Sequence, residues 1–303
     1  MKYKNVMYGL NVNQKLDIII PQKQGVPKET SLEVHAIVYI HGGAYLTGNK
    51  LQYPSFLADY SEENIFAAVD YRLIMADNNI CMDDILCDIN SALKRVSEFA
   101  KTNNVIIKDF ILTGHSAGGH IALLYSYKYF NGMYKISACI SMAGPADFTD
   151  DSAWSSMSMW GDDLQTRLSF MSQVGSRLIG KPIELTQSNW TEQKNYSQFK
   201  QLIMDISPVT YVSGIKKVPP TLLIHAKGDN QVPYSNAVRL IKALDRIYSK
   251  SAGNPSPHKL ITPAGNADSH MLGGEVYSDY SPFVFKNQDW VHEAKKWMEA
   301  YLQ

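Results

Sequence analysis

Short apolar, β-branched runs recur along the chain, separated by stretches whose apolar residues fall three and four apart. Residues 16–20 (LDIII) stop at Pro21, 34–40 (VHAIVYI) run into His41-Gly42-Gly43, and 65–69 (IFAAV) into Asp70-Tyr71-Arg72. Residues 110–113 (FILT) precede Gly114, 137–141 (SACIS) precede Gly144-Pro145, 221–225 (TLLIH) precede Gly228-Asp229, and 258–262 (HKLIT) form the last such run. Nearly continuous apolar runs of this length are what a parallel sheet covered on both faces requires. Helical spacing appears in 83–100, where Ile85, Ile89, Leu93, Val96 and Ala100 share one face, and again in 117–130, 235–248 and 288–302. Strands alternating with helices predict right-handed βαβ units in an α/β, mostly parallel, doubly wound sheet.

The alternation lapses once. Residues 146–217 contain no buried-strand pattern and are rich in Trp, Met, Ser and Gln, with Trp154, Met157, Met159, Trp160, Phe170 and Met171 grouped early. This stretch reads as a helical, cap-like insertion within a single domain spanning 1–303. Its soft methionine and aromatic surface could either form a small core of its own or wall a pocket.

Gly114-His115-Ser116-Ala117-Gly118 carries the first chemistry. A G-x-S-x-G pattern arises by chance in about one chain in ten of this length, with each fixed residue at roughly one in fifteen. Here a strand pattern precedes it and a good helix follows, which is the setting of a nucleophile elbow. His41-Gly42-Gly43-Ala44-Tyr45 ends an earlier strand. Backbone N–H groups in such a loop can face the oxyanion that forms when a hydroxyl attacks a carbonyl. Gly42 and Gly43, with the amide of Ala117, are the candidate donors, and Tyr45, Trp154 and Trp160 the candidate substrate contacts.

Such a nucleophile needs a histidine base held by a carboxylate. Of eight histidines, His35, His225 and His258 fall in or beside strands, His41 and His115 belong to the glycine motifs, and His120 and His292 lie on helices. His270 follows the last strand in a loop of small and polar residues, where the base falls in the chain order Ser, acid, His. Asp229, after the strand 221–225, is the acid expected to reach that loop. Asp268 and Asp205 are rivals; the first is so near His270 in sequence that it should point elsewhere.

HGGAY with TGNK downstream, VDYRL, GHSAGG, SPVTYV, HAKGDNQVPY and DSHML together resemble the esterase/lipase group of α/β-hydrolases. Within that group the chain is similar to bacterial carboxylesterases that include acetyl-xylan and feruloyl esterases, and to the related kynurenine formamidases. The resemblance runs from about Leu16 to the C-terminus. It implies an eight-stranded sheet with a partly antiparallel first strand and no metal or organic cofactor. It also implies Ser116 as nucleophile, Asp229 as acid, His270 as base, and Gly42, Gly43 and Ala117 as the oxyanion hole. The elbow reads GHSAGG rather than the GDSAGG of the hormone-sensitive-lipase branch, and Ala44 replaces the third glycine of HGGG, so that branch's taste for bulky alcohols or long acyl chains is not implied.

The expected activity is hydrolysis of short-chain acyl esters, acetyl or feruloyl groups on carbohydrates among them. An arylformamidase-type amidase shares the constellation, and a catalytically dead binding protein would have no need of it. A prolyl peptidase would require a large extra domain for which the chain has no room, and no long apolar helix resembles the lid of a fat-droplet lipase. Lys plus Arg equal Asp plus Glu at 29 each, so no long-range field favours nucleic acid or anionic membranes. The N-terminal MKYKNVMYGLNVNQ has no apolar segment of the signal-peptide kind, and no run reaches the roughly 18 residues of a membrane span. Three cysteines without metal spacing suit a cytoplasmic setting. The expected partners are a small-molecule or oligosaccharide ester and a second copy in a homodimer.

Overall fold

The computed structural model describes residues 1–22, 31–74, 80–130, 132–150, 163–184, 186, 197–212, 218–249, 256–278, 280–286 and 288–303. Its strands are β1 (Lys2–Met7), β2 (Lys15–Ile19), β3 (Leu32–Ile40), β4 (Ile65–Val69), β5 (Val105–His115), β6 (Ile136–Met142), β7 (Thr221–Ile224) and β8 (Lys259–Ile261). The helices are α1 (Met82–Thr102), α2 (Ala117–Lys128), α3 (Leu164–Leu178), α4 (Ser197–Asp205), α5 (Pro208–Val212), α6 (Tyr234–Ser249) and α7 (Asp289–Glu299).

The strands form a single sheet in the order β1-β2-β4-β3-β5-β6-β7-β8. From β4 to β8 all neighbours run parallel, whereas β2 is antiparallel to both β1 and β4. The first strand thus meets β2 antiparallel, and β2 runs against the rest of the sheet. On β3 the side chains alternate between two cores. Val34, Ala36, Val38 and Ile40 pack with Ile85 and Ile89 of α1, Ile121 of α2 and Leu240 of α6. Ile37 and Tyr39 pack on the opposite face with Phe56 and Leu57 of the 3₁₀ turn Ser55–Glu62 and with Trp290, Ala294 and Met298 of α7. All are below one tenth exposed. At about 1.5–3 kcal/mol for each large apolar side chain buried, it is this two-sided burial that makes the strand sequences continuous rather than alternating.

Two elements depart from the pattern reading. β1, with the sequence KYKNVM, carries no apolar run because it is an edge strand with no fully buried residue. β5 begins at Val105 rather than Phe110, and the charged Asp109 within it is partnered in the interior. Asp109 accepts from Ser137 Oγ at 2.7 Å and Lys135 Nζ at 3.2 Å, and pairs with His35 Nδ1 at 2.6 Å.

Register brings the motifs together. Ile40 lies opposite Val69 and Gly114, His115 opposite Met142, Met142 opposite Ile224, and Ile224 opposite Ile261. Each of these strands thus ends at one sheet edge, and the segments holding Gly42, Ser116, Asp229 and His270 all leave from it. This is where α/β sheets place their ligands.

Candidate active site

Ser116 sits between β5 and α2 at φ 54°, ψ −123°. A non-glycine residue there costs on the order of 1–3 kcal/mol. The backbone is held by Ser116 N–H donating to the Met142 carbonyl (2.8 Å) and by His120 N–H donating to the Ser116 carbonyl (3.0 Å). The two flanking glycines are required by contact. A Cβ on Gly114 would lie 2.3 Å from the Gly118 carbonyl, and one on Gly118 2.0 Å from the Ile40 carbonyl. Helix α2 therefore rests directly on the ends of β3 and β5, aiming the serine out of the sheet.

The three predicted side chains meet. His270 Nε2 is 2.9 Å from Ser116 Oγ, and His270 Nδ1 is 2.9 Å from Asp229 Oδ2. Because a carboxylate only accepts, Nδ1 carries the proton and Nε2 is left to accept from the serine hydroxyl. The other oxygen of Asp229, Oδ1, accepts from the N–H groups of Gln231 and Val232, both at 2.9 Å. Burial opposes ionisation of Asp229, but hydrogen bonds from His225 and His270 outweigh it and hold the carboxyl well below the usual carboxylate range. Asp268 is turned away, its Oδ1 accepting from Gly228 N–H at 2.6 Å.

His115 accounts for the unusual elbow. Its Nε2–H donates to the His270 carbonyl at 2.9 Å, its ring lies 5.1 Å from that of His270, and Phe283 covers it edge-on. Burial, then the charge His270 can carry, lowers its pKa to about 4, so the ring is neutral at neutral pH. An ionised aspartate at this position could not donate to that carbonyl.

The loop after β3 has three consecutive residues in left-handed conformation, Gly43 (φ 105°), Ala44 (φ 53°) and Tyr45 (φ 66°). It is fastened at its far end, where Lys50 N–H donates to Asp70 Oδ1 at 2.5 Å, and at its start, where Tyr71 donates to the His41 carbonyl and stacks on the His41 ring. Gly42 packs against the elbow: a Cβ there would lie 2.8 Å from the His115 carbonyl and 3.1 Å from Ser116 Cβ. Ala117 is the first residue of α2, so its N–H has no partner in a preceding turn. Gly42, Gly43 and Ala117 line the same cavity as Ser116. Tyr45 borders it too, but its hydroxyl donates to His120 Nδ1 (2.8 Å), while His120 Nε2–H donates to the Ile206 carbonyl (2.7 Å). That relay ties the loop, α2 and the segment between α4 and α5.

Ser116 and His270 open into a cavity of about 910 Å³. Its walls are mainly apolar: Phe148, Val174, Leu178, Ile203, Ile206, Met271 and Phe283 contribute, with Thr47, Asn49 and Gln52 as polar contacts. Val174 and Leu178 belong to α3, so helices between β6 and β7 line the site. Trp154 and Trp160, the other two expected contacts, lie outside the described residues. Among the described residues no group of three or more His, Cys, Asp or Glu is placed to hold a metal ion.

The sequence reading missed His225. Taken as an ordinary strand histidine, it instead places Nε2 3.3 Å from Asp229 Oδ2. Its spacing four residues before Asp229, in HAKGD, was the available signal.

A family model described as BD-FAE matches residues 16–244. The chain belongs to the BD-FAE family. Its fold is that of the α/β-hydrolases, shared at 18% identity and a TM-score of 0.64 with esterase B of Lactobacillus rhamnosis, over 99% of this chain and 84% of that one. A truncated carbohydrate esterase from gut microbiota aligns over 99% of this chain and 95% of its own at 19% identity and a TM-score of 0.63. An acetyl ester-xyloside bifunctional hydrolase of Caldicellulosiruptor lactoaceticus aligns over 94% and 87% at 20% identity and a TM-score of 0.61. In sequence, the chain is 23% identical over 257 residues to a probable isoprenylcysteine alpha-carbonyl methylesterase of Arabidopsis thaliana, a match covering 82% of this chain and 48% of that protein. The family match ends before His270.

Proposed function

We propose that this BD-FAE protein is a serine carboxylesterase acting through an acyl-enzyme. The observation that carries the reading is the Ser116–His270–Asp229 hydrogen-bond series, 2.9 Å at each step, at the floor of an apolar cavity. Ser116 Oγ attacks the ester carbonyl as its proton passes to His270 Nε2, and Asp229 stabilises the imidazolium that results. The oxyanion is received by the amides of Gly42, Gly43 and Ala117, each worth on the order of 10²–10³ in rate if it behaves as known donors do. His270 then protonates the leaving alcohol. Water, deprotonated by the same ring, releases the acid.

The segment 146–217 is assigned as a cap, since α3 and the α4–α5 junction contribute Val174, Leu178 and Ile206 to the walls. The cavity has room for more than an acetyl group. An aromatic acyl group such as feruloyl, or a short acyl chain on an apolar alcohol, fits walls of this chemistry. The carbohydrate-esterase relatives support a sugar as the other half of the ester. Free thiols at Cys81, Cys87 and Cys139 suit a reducing, cytoplasmic setting, and among the described residues no helix is long and apolar enough to cross a membrane.

Hydrolysis of p-nitrophenyl acetate, butyrate and octanoate, methyl ferulate, acetylated xylo-oligosaccharides and N-formylkynurenine tests the proposal. Ester turnover that disappears in Ser116→Ala is expected. Turnover of N-formylkynurenine alone would move the assignment to an amidase, and equal rates in wild type and Ser116→Ala would end the serine mechanism.

A further inference from the structure

The carboxylate of Asp229 has a second imidazole beside it that the reaction described above does not use. His225 lies just past β7, is 2% exposed, and faces the same oxygen, Oδ2, that receives His270 Nδ1–H. Its Nε2 is also 2.9 Å from the Val232 carbonyl. A carbonyl cannot donate, so this nitrogen carries a hydrogen that it donates to the Val232 oxygen, and Asp229 Oδ2 lies 3.3 Å from the same nitrogen. Val232 N–H in turn donates to Asp229 Oδ1. The carboxylate is thus gripped on both oxygens by the turn 225–232, and one oxygen is shared by two imidazoles.

We propose that His225 is a positioning residue: its Nε2–H fixes the plane of the Asp229 carboxylate and draws off part of the charge that would otherwise fall on His270, so setting the strength of the base. The inference rests on the Ser116–His270–Asp229 reading. The titratable groups near this pair are His115 from the end of β5 and Tyr234 at the start of α6, whose ring lies 6.2 Å from that of His225; Asp268, in the loop before His270, is turned away from it. Asp268 spends Oδ1 on Gly228 N–H and His115 spends its N–H on the His270 carbonyl. Of these groups, His225 is the one that donates toward Asp229 Oδ2 alongside His270. Removing its hydrogen leaves more charge on that oxygen for His270, favouring the imidazolium, and the acid limb of the rate profile moves to higher pH.

The test is the pH dependence of kcat/KM for p-nitrophenyl butyrate in wild type, His225→Phe and His225→Gln, with folding checked by circular dichroism. Phe keeps the ring and removes the donor, while the Gln side-chain amide can place an N–H near the same point. A lost hydrogen bond to a charged group is worth about 10- to 100-fold. His225→Phe should therefore lose about that factor in kcat with KM within about twofold, and its acid limb should rise by up to roughly one pH unit. His225→Gln should regain most of both. A folded His225→Phe with the wild-type limb and kcat overturns the proposal, as does a limb that Gln does not restore. If Phe prevents folding, His225→Asn replaces it, its amide one bond too short: a limb shifted in Asn and restored in Gln supports the proposal, and identical profiles overturn it. Should Ser116→Ala keep full activity, the parent reading has failed rather than this one.

Discussion

Replacing Gly42 by alanine separates the chemistry from the fold. Gly42 has no left-handed φ, so alanine costs nothing through backbone conformation. The added methyl would lie 2.8 Å from the His115 carbonyl oxygen and 3.1 Å from Ser116 Cβ. An ordinary contact needs about 3.4 Å or more, so the loop and the elbow must separate by about half an ångström. Overpacking of this kind costs about 1–3 kcal/mol. For a domain of this size that lowers Tm by roughly 2–6 °C. If the Gly42 and Gly43 amides receive the oxyanion as proposed, the same half ångström moves them out of place, and loss of one donor costs about 10²–10³ in kcat. Thermal melts and steady-state kinetics on p-nitrophenyl butyrate should therefore show a folded protein with KM little changed and kcat down by at least about a hundredfold. A folded Gly42→Ala within threefold of wild-type kcat would refute the assignment of this loop to the oxyanion.

Further outcomes follow from the same geometry. Asp229→Asn keeps the size of the acid but replaces an acceptor by an amide, favouring the wrong His270 tautomer; kcat should fall by about 10⁴ with KM nearly unchanged in steady-state assays. Val174→Trp, on a cavity wall of α3, should leave kcat/KM for p-nitrophenyl acetate within about threefold and reduce that for methyl ferulate or p-nitrophenyl octanoate at least tenfold; equal losses would contradict the cavity as the site of the larger group. His115 and His120 are neutral in the fold, with burial bringing each pKa to about 4 from an ordinary value of 6.5. Between those values the unfolded chain binds the extra proton, so stability is full above pH 6.5 and declines as pH falls. The slope is about 1.4 kcal/mol per pH unit for each ring. Urea unfolding at pH 7.5 and 4.5 should show this loss, and His120→Gln should shrink it.

The parts of the molecule legible in sequence are those where one physical demand dominates. Strands buried on two faces must be apolar throughout, so β3, β4, β6 and β7 announced themselves, and the elbow was readable because Gly114 and Gly118 have no room for a side chain. β1 was not, since an edge strand with exposed Lys2 and Lys4 shares its pattern with a loop. The first half of β5 was hidden by Asp109, whose burial makes sense only once His35, Lys135 and Ser137 are seen around it. Asp229 could be chosen over Asp268 by its position after a strand, and the structure shows the reason in the Gly228 N–H that occupies Asp268. His225 was signalled only by its spacing four residues before Asp229, because its significance is a contact across a turn rather than a pattern along a strand. Tyr45 lines the cavity, and its hydroxyl is taken by His120, a contact between elements that no pattern along the chain carries.

The most direct measurement is intact-protein and peptide mass spectrometry after exposure to a p-nitrophenyl alkylphosphonate, which traps an activated serine hydroxyl. One adduct should form, on the peptide containing Ser116, in step with the loss of esterase activity. It should be absent in Ser116→Ala and greatly slowed in His270→Ala. Complete inactivation with the label on another residue, or turnover that persists in a chain fully labelled at Ser116, would contradict the account.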